Sequence, residues 1–434
     1  MNPAIRALKA ETPEARAFLE RLRDRGRTPD PAVEAAVRSI LAEVRGRGDA
    51  ALVDLTERFD GWRATAGELR VPAAEIAAAG PALPAPVTAA LGLAAERIDA
   101  FHRRQRRESW LTTEPGIGVL GQLVRPLRRV GLYVPGGAAA YPSSVLMNAL
   151  PAKVAGVAEI AMCTPAGPDG RVPPAVLYAA KLAGVEEIYR LGGAQAIAAL
   201  AFGTESVPAV DKIVGPGNLY VATAKRLVFG VVGIDLLAGP SEILALSDGT
   251  VPAAWVAADL LAQAEHDPLA AALCCTPSES HAAAVQEEVA RQLRALPRRE
   301  IAAKALEAFG AVLLVRDVRA GLELAAAIGP EHLELLVADP WAWVPELRNA
   351  GAVFLGGHSP EAAGDYLAGP NHVLPTAGAA RFSSPLSVED FQQRSSLLHL
   401  APAALAAWRE AITSLARLEG LEGHARSILS RTES

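Results

Sequence analysis

Two α/β units, each built on a parallel sheet, with helical extensions at both ends, are the fold class this sequence predicts. Three observations carry that expectation. The chain has 434 residues, 51% of them hydrophobic, more than one simple core accommodates. Short apolar runs alternate with segments whose apolar residues recur every three or four positions, the pattern of buried strands joined by crossover helices. That alternation occurs as two series with no low-complexity linker between them, which points to two similar Rossmann-like sheets, duplicated and interleaved.

The elements follow in order. PAVEAAVRSILAEVR (31–45) and PVTAALGLAAERIDAFHRRQ (86–105) carry the helical spacing of apolar residues, so the first hundred residues read as helical. From Gly116 to Val134 the pattern changes to short β-like runs. The first series then reads AEIAMCT (strand), PPAVLYAAKLAG (helix), VEEIYRL (strand), GGAQAIAALAFG (helix), DKIVG, GNLYVATAKRLV and VGIDLLAG. The second reads EILALS, VPAAWVAADLLAQAEH, LAAALCCT, SHAAAVQEEVARQLRAL, AVLLVRD, RAGLELAAAIG, LELLVAD and GAVFLGG. After about Ser387 the chain is expected to be helical again. The expected division is 1–25 as an N-terminal helical segment, 26–133 plus 241–386 as a first α/β unit, 134–240 as a second, and 387–434 as a helical tail.

Bulk properties narrow the function. A net charge of −6 offers no general attraction to nucleic acid, and the basic run Arg103–Arg107 reads as a solvated helix face. The most apolar run, VVGIDLLAGPSEILAL, is broken by Asp235 and Glu242, so no stretch spans a bilayer. MNPAIRALKAETPEA lacks the apolar centre of a signal peptide. Three cysteines, Cys163, Cys274 and Cys275, fit a reduced compartment. A soluble cytoplasmic protein is expected.

GIGVLG (116–121) matches a dinucleotide fingerprint, but Pro126 follows where the helix should run, so a glycine-rich β-turn is the better reading. Gly192–Gly193 and Gly215-Pro216-Gly217-Asn218 each sit between a strand and a helix, the place where backbone N–H groups meet ligands in open α/β sheets.

Four of the eight histidines lie in polar clusters punctuated by Gly and Pro: QAEH (His266), GPEHLEL (His332), GDYLAGPNHVLPT (His372) and EGLEGHAR (His424). His102, His281 and His399 sit in helical or apolar context, and His358, in FLGGHSPEAAGDY, lies on a loop where nothing requires it to act. In QAEH, Gln263 and His266 share one helix face, as a surface pair or as half of a metal site. GPEHLEL has an alternative reading as a helix start with Glu331 at the favourable dipole end. Any metal here would take nitrogen and oxygen ligands, which favours zinc with manganese or cobalt as substitutes, and the HExxH pattern is absent.

At these residues the sequence resembles the histidinol dehydrogenase family. The matching blocks are VGLYVPGG, IYRLGGAQAIAALAFGTES, DKIVGPGN, AGPSEIL, DLLAQAEHDP, GPEHLEL, GAVFLGGHSPEAAGDYLAGPNHVLPT and EGLEGHA. The resemblance implies oxidation of L-histidinol through L-histidinaldehyde to L-histidine, the last steps of histidine biosynthesis, using water and two NAD. It implies one zinc per subunit held by Gln263, His266, Asp365 and His424, placing the substrate for reaction. It implies substrate contacts from Ser241, Gln263, His266, His332, Asp365, His372, Glu419 and His424, and cofactor contacts from Tyr133, Gln195 and Asn218. His332 would be the proton acceptor and Glu331 would activate water. The 26–133 plus 241–386 unit becomes the catalytic and metal unit, and 134–240 the NAD unit. The family forms homodimers, so the tail with Glu419 and His424 is expected to reach the partner subunit. Other readings are a zinc- and NAD-dependent dehydrogenase of another small alcohol such as a sulfonated diol, a metal-dependent hydrolase, and a non-catalytic metal-binding protein.

Overall fold

The computed structural model describes residues 5–25, 30–136 and 140–432. The described chain opens with a short strand, β1 (Arg6–Lys9), and the helix Pro13–Asp24. Helices Pro31–Arg47, Asp49–Asp60 and Ala85–Arg103 follow. Asp30 starts the first of these by accepting the N–H groups of Ala32 (2.8 Å) and Val33 (3.3 Å), with Pro31 in the first turn. A hairpin comes next, β2 (Trp110–Glu114) and β3 (Gly118–Pro126). Its turn contains Gly116 at φ 78°, so GIGVLG is part of a β-hairpin, as expected.

β4 (Arg129–Tyr133), β5 (Glu159–Thr164), β6 (Glu187–Arg190), β7 (Lys212–Val214) and β8 (Gly233–Ile234) form a five-stranded parallel sheet in the order β6-β5-β4-β7-β8. β9 (Glu242–Ser247), β10 (Ala271–Thr276), β11 (Gly310–Leu314), β12 (His332–Leu336) and β13 (Ala352–Leu355) form a second parallel sheet, with β1 added at its edge: β1-β11-β10-β9-β12-β13. Counted within each series, both sheets run third, second, first, fourth, fifth. The repeated order is that of a doubly wound Rossmann-like sheet through its fifth strand, and it bears out two similar α/β sheets. Every residue of β9, β10 and β12 is buried, because helices cover both faces.

Each sheet has a core on either face. Val37 and Leu52 of the N-terminal helices pack with Leu200 and Ile213, and Ile98 packs with Leu132 and Leu146. Ile5, Leu8 and Phe18 instead join the cores of the six-stranded sheet. The apolar faces of the helices within 31–103 are therefore buried against the five-stranded sheet, whereas the sequence reading grouped 26–133 with 241–386. Periodicity marks an apolar face, not the sheet that receives it.

Two strands fall where helix was expected. β1 has four residues, too few to show a period. β14 (Gln392–Leu400) pairs antiparallel with β3, giving the small sheet β14-β3-β2; its polar start QQRSS carries no apolar alternation. Helices Pro402–Leu418 and Glu422–Thr432 complete the tail. Trp110, Leu111, Leu398, Leu415 and Leu418 of this sheet-and-hairpin arm are exposed. No helix among the described residues is long and apolar enough to cross a membrane.

Candidate active site

A cluster of titratable groups gathers at the amino edge of the six-stranded sheet. Register places His332, first residue of β12, beside Ile243 of β9. Its Nδ1 donates to the Glu242 carbonyl at 2.9 Å, which leaves the lone pair on Nε2. That Nε2 is buried without a hydrogen-bond partner among the described residues, 3.9 Å from Asp365 Oδ1. Burial lowers the His332 pKa to about 4, and His266 and His372 push the same way, so the ring is neutral at pH 7. Glu331 is buried beside it, its Oε2 accepting the Glu242 N–H at 2.9 Å. Burial drives its carboxyl well above the ordinary range, with Glu242 and Asp365 adding to the rise. GPEHLEL leads into a strand, so the helix-start alternative is not realised.

Gln263 is fully buried near the end of the helix Ala253–Ala264. Turned inward, its amide nitrogen lies toward Glu361 Oε1 (3.1 Å) and the Glu242 carbonyl (3.3 Å), with His332 Nδ1 at 3.2 Å; reversed, its oxygen would face the Glu361 carboxyl and the Glu242 carbonyl. His266 stands just beyond the helix end, its N–H returning to the Gln263 carbonyl at 3.2 Å. His266 is exposed, although desolvation by its surroundings lowers its pKa.

Asp365 lies in a single π-helical turn, Gly364–Ala368, a local insertion typical of functional sites. Burial raises its pKa to about 6. Its carbonyl accepts from His372 Nδ1 at 3.0 Å, and His372 Nε2 lies 3.4 Å from Ser144 Oγ. Burial lowers the His372 pKa to about 4. Ser241 immediately precedes β9 and its carbonyl accepts the Ala271 N–H at 2.9 Å.

Among the described residues, His332, Glu361 and Asp365 offer ligand atoms within 4.8 Å of one another. Gln263 and Glu331 adjoin this group, and the neighbouring His266 and His372 disfavour a proton on His332. Glu419 and His424 are exposed on the C-terminal helical arm, and the three-residue group closes without them.

Sequence reading missed several supports of this site. Glu361 is buried, and its N–H donates to Glu334 Oε1 at 2.9 Å. Asp259 and Glu334 share a side-chain hydrogen bond, and burial raises their pKa values to about 6 and about 8. Glu242 pairs with Arg25 at 2.6 Å in a buried contact; Arg25 also donates to the carbonyls of Leu269 (2.6 Å) and Pro240 (3.3 Å). This ties together the segments that carry Ser241 and His266. The available signal was a carboxylate inside an otherwise apolar strand, Glu242 in EILALS and Glu334 in HLELL, since such residues are seldom buried unpaired.

The cofactor candidates sit at the carboxyl edge of the five-stranded sheet. Tyr133 ends β4, and its hydroxyl accepts the Gly193 N–H at 3.0 Å. Gln195, in the first turn of the helix Gly193–Phe202, is buried with Nε2 unpartnered among the described residues. Asn218 caps the helix Leu219–Val228, its Oδ1 accepting the N–H groups of Tyr220 and Val221, each at 3.1 Å. Gly215 has φ 116°, and a Cβ there would lie 2.1 Å from the Tyr133 carbonyl oxygen, so only glycine fits. A buried Lys225–Asp235 ion pair grips the same residue: Asp235 Oδ2 accepts the Gly215 N–H (2.8 Å) and Lys225 donates to its carbonyl (2.9 Å).

The Histidinol dehydrogenase family profile matches residues 23–432. The chain is 55% identical to the histidinol dehydrogenase of Syntrophotalea carbinolica over 427 residues, 98% of this chain and 99% of the relative. It is 54% identical to that of a Synechococcus species, covering 97% of each. The crystal structure of histidinol dehydrogenase from Elizabethkingia anophelis superposes with a TM-score of 0.94 at 33% identity, covering 100% of this chain and 99% of that one. Similarity of that degree along nearly the whole length settles its kinship: the chain belongs to the histidinol dehydrogenase family.

Proposed function

We propose that this protein oxidises L-histidinol to L-histidine through L-histidinaldehyde, with two NAD per turnover and one zinc per subunit. The observation that carries this reading is His332: a neutral imidazole, its proton fixed on the Glu242 carbonyl and its Nε2 buried without a partner. A buried lone pair of that kind calls for a substrate proton.

The donor set fits zinc. Gln263, His266 and Asp365 would offer oxygen and nitrogen ligands, the first two from the end of the helix Ala253–Ala264. The carboxyl end of a helix carries partial negative charge and favours a cation. His424 of a second copy would complete the set. At the other edge, the unpartnered Gln195 Nε2 and the amino ends of two helices fit an anionic dinucleotide. Tyr133, Gln195 and Asn218 would hold it, Asn218 through the amide nitrogen that its cap leaves available.

When bound, zinc supplies a Lewis-acid anchor for the substrate's imidazole and amine, and NAD the two-electron acceptor. The chain's own residues handle protons. His332 Nε2 takes the hydroxyl proton as the alcohol becomes an aldehyde. Glu331, whose desolvated carboxyl is a stronger proton acceptor than an exposed one, takes a proton from the water that adds to the aldehyde. His332 accepts again as the hydrate becomes the acid. Ser241, His372 and Glu419 would orient the substrate.

A homodimer follows from the same reading. Leu415 and Leu418 are exposed beside Glu419, apolar surface that a second copy would cover. Three buried free thiols support a cytoplasmic location. The experiment is absorbance of NADH formed from L-histidinol and NAD by the zinc-loaded protein. Two NADH per L-histidinol are expected; none formed from this alcohol overturns the reading.

A further inference from the structure

We propose that Glu361 is a positioning residue that turns the Gln263 amide so that its oxygen, and not its nitrogen, faces the cation position. The inference rests on the zinc reading above and concerns a residue outside the expected ligand set. An amide offers an acceptor at one end and two donors at the other. The two ends differ by a half-turn about a soft terminal torsion. Only the oxygen end ligates a cation. Something must therefore hold the nitrogen.

Glu361 is built for that task. It is 3% exposed, and with the Gln263 amide turned nitrogen-inward its Oε1 accepts from Gln263 Nε2 at 3.1 Å, the Glu242 carbonyl at 3.3 Å is a second acceptor, and His332 Nδ1 lies 3.2 Å from the same nitrogen. Its own backbone is anchored from behind by the Glu334 carboxyl, which accepts the Glu361 N–H at 2.9 Å. Gln263 is fully buried, so water does not substitute for these partners. Residues that orient ligands in this way typically change metal affinity about 10–100-fold when removed.

The test is a double-mutant cycle on the full-length protein, reading zinc affinity by competition with a chromophoric chelator. Glu361→Met keeps the volume and removes the acceptor; it should weaken zinc binding about 10–100-fold. Glu361→Gln, whose carbonyl still accepts from Gln263, should stay within about threefold of the parent. In a Gln263→Ala background, Glu361→Met should add no more than about threefold, because nothing is left to orient. Where Glu361→Met does not fold, Glu361→Asp takes its place in the cycle, since it withdraws the carboxylate by one methylene. Equal losses in both backgrounds, as a direct ligand or a general packing role would give, overturn the proposal, and so does a Met or Asp variant that binds zinc like the parent. A parent protein that binds no zinc overturns the site reading itself, whereas additive losses on a zinc-binding parent overturn only the role of Glu361.

Discussion

In the five-stranded sheet the ligand-ready turns follow β4, β6 and β7, at the carboxyl edge. In the six-stranded sheet the titratable cluster gathers before β9 and β10 and at the start of β12, at the amino edge. The two sheets share one strand order, and the proposed function puts it to opposite uses. The difference is electrostatic. Helices in such folds begin at the carboxyl edge and end at the amino edge, so the first edge presents free N–H groups and the second free carbonyls. One suits phosphates; the other suits a cation. The segment between β8 and β9 runs from the first edge to the second, and His372 Nε2 lies 3.4 Å from Ser144 Oγ, a contact between the two units.

The sharpest way to break this comparison is at its chemical centre. His332→Ala should lower kcat by roughly 10²–10⁴-fold while zinc content and NAD binding stay near the parent's, as a steady-state assay with metal analysis checks. Loss of metal together with activity would mean that the amino edge does not separate base from ligands.

A second prediction joins the edge to the exposed arm. His424→Ala and Glu331→Ala proteins should each be inactive. Mixed and allowed to exchange subunits, they should recover roughly a quarter of parental activity, because random assortment leaves one site in four intact in a symmetric dimer. No recovery after verified exchange would keep His424 within its own chain.

The smallest expected effect lies under the cluster. Burial raises Glu334 to about 8, so the folded chain keeps a proton that the unfolded chain releases above the ordinary carboxylate range. Stability therefore falls as pH climbs from about 4.5 toward 8. Glu334→Gln should remove that slope and stabilise the protein by roughly 1–3 kcal/mol at pH 8, with the gap narrowing toward pH 5. Denaturant titrations at both values check it.

Much of this was legible in the residues. Apolar runs such as EILALS and AALCCT marked buried strands, and Gly215 and Gly193 marked turns, because period and glycine geometry are local. The paired sheets could be read from the recurrence of those runs. The edge in use could not, because it depends on which strand ends lie side by side. Glu361 and Arg25 stayed hidden for the same reason: each acts through contacts 98 or more positions away in sequence, with Gln263 and Glu242 respectively. β14 was hidden differently. QQRSSLLHL has two largely exposed faces, so no alternation announces it.

The most direct test of the two-edge account is zinc bound per subunit in His266→Ala beside Gln195→Ala, measured on purified protein after removal of loosely held metal. The first variant should lose most of its zinc and the second should keep one zinc per subunit. Equal zinc in the two variants would contradict the assignment of the cation to the amino edge.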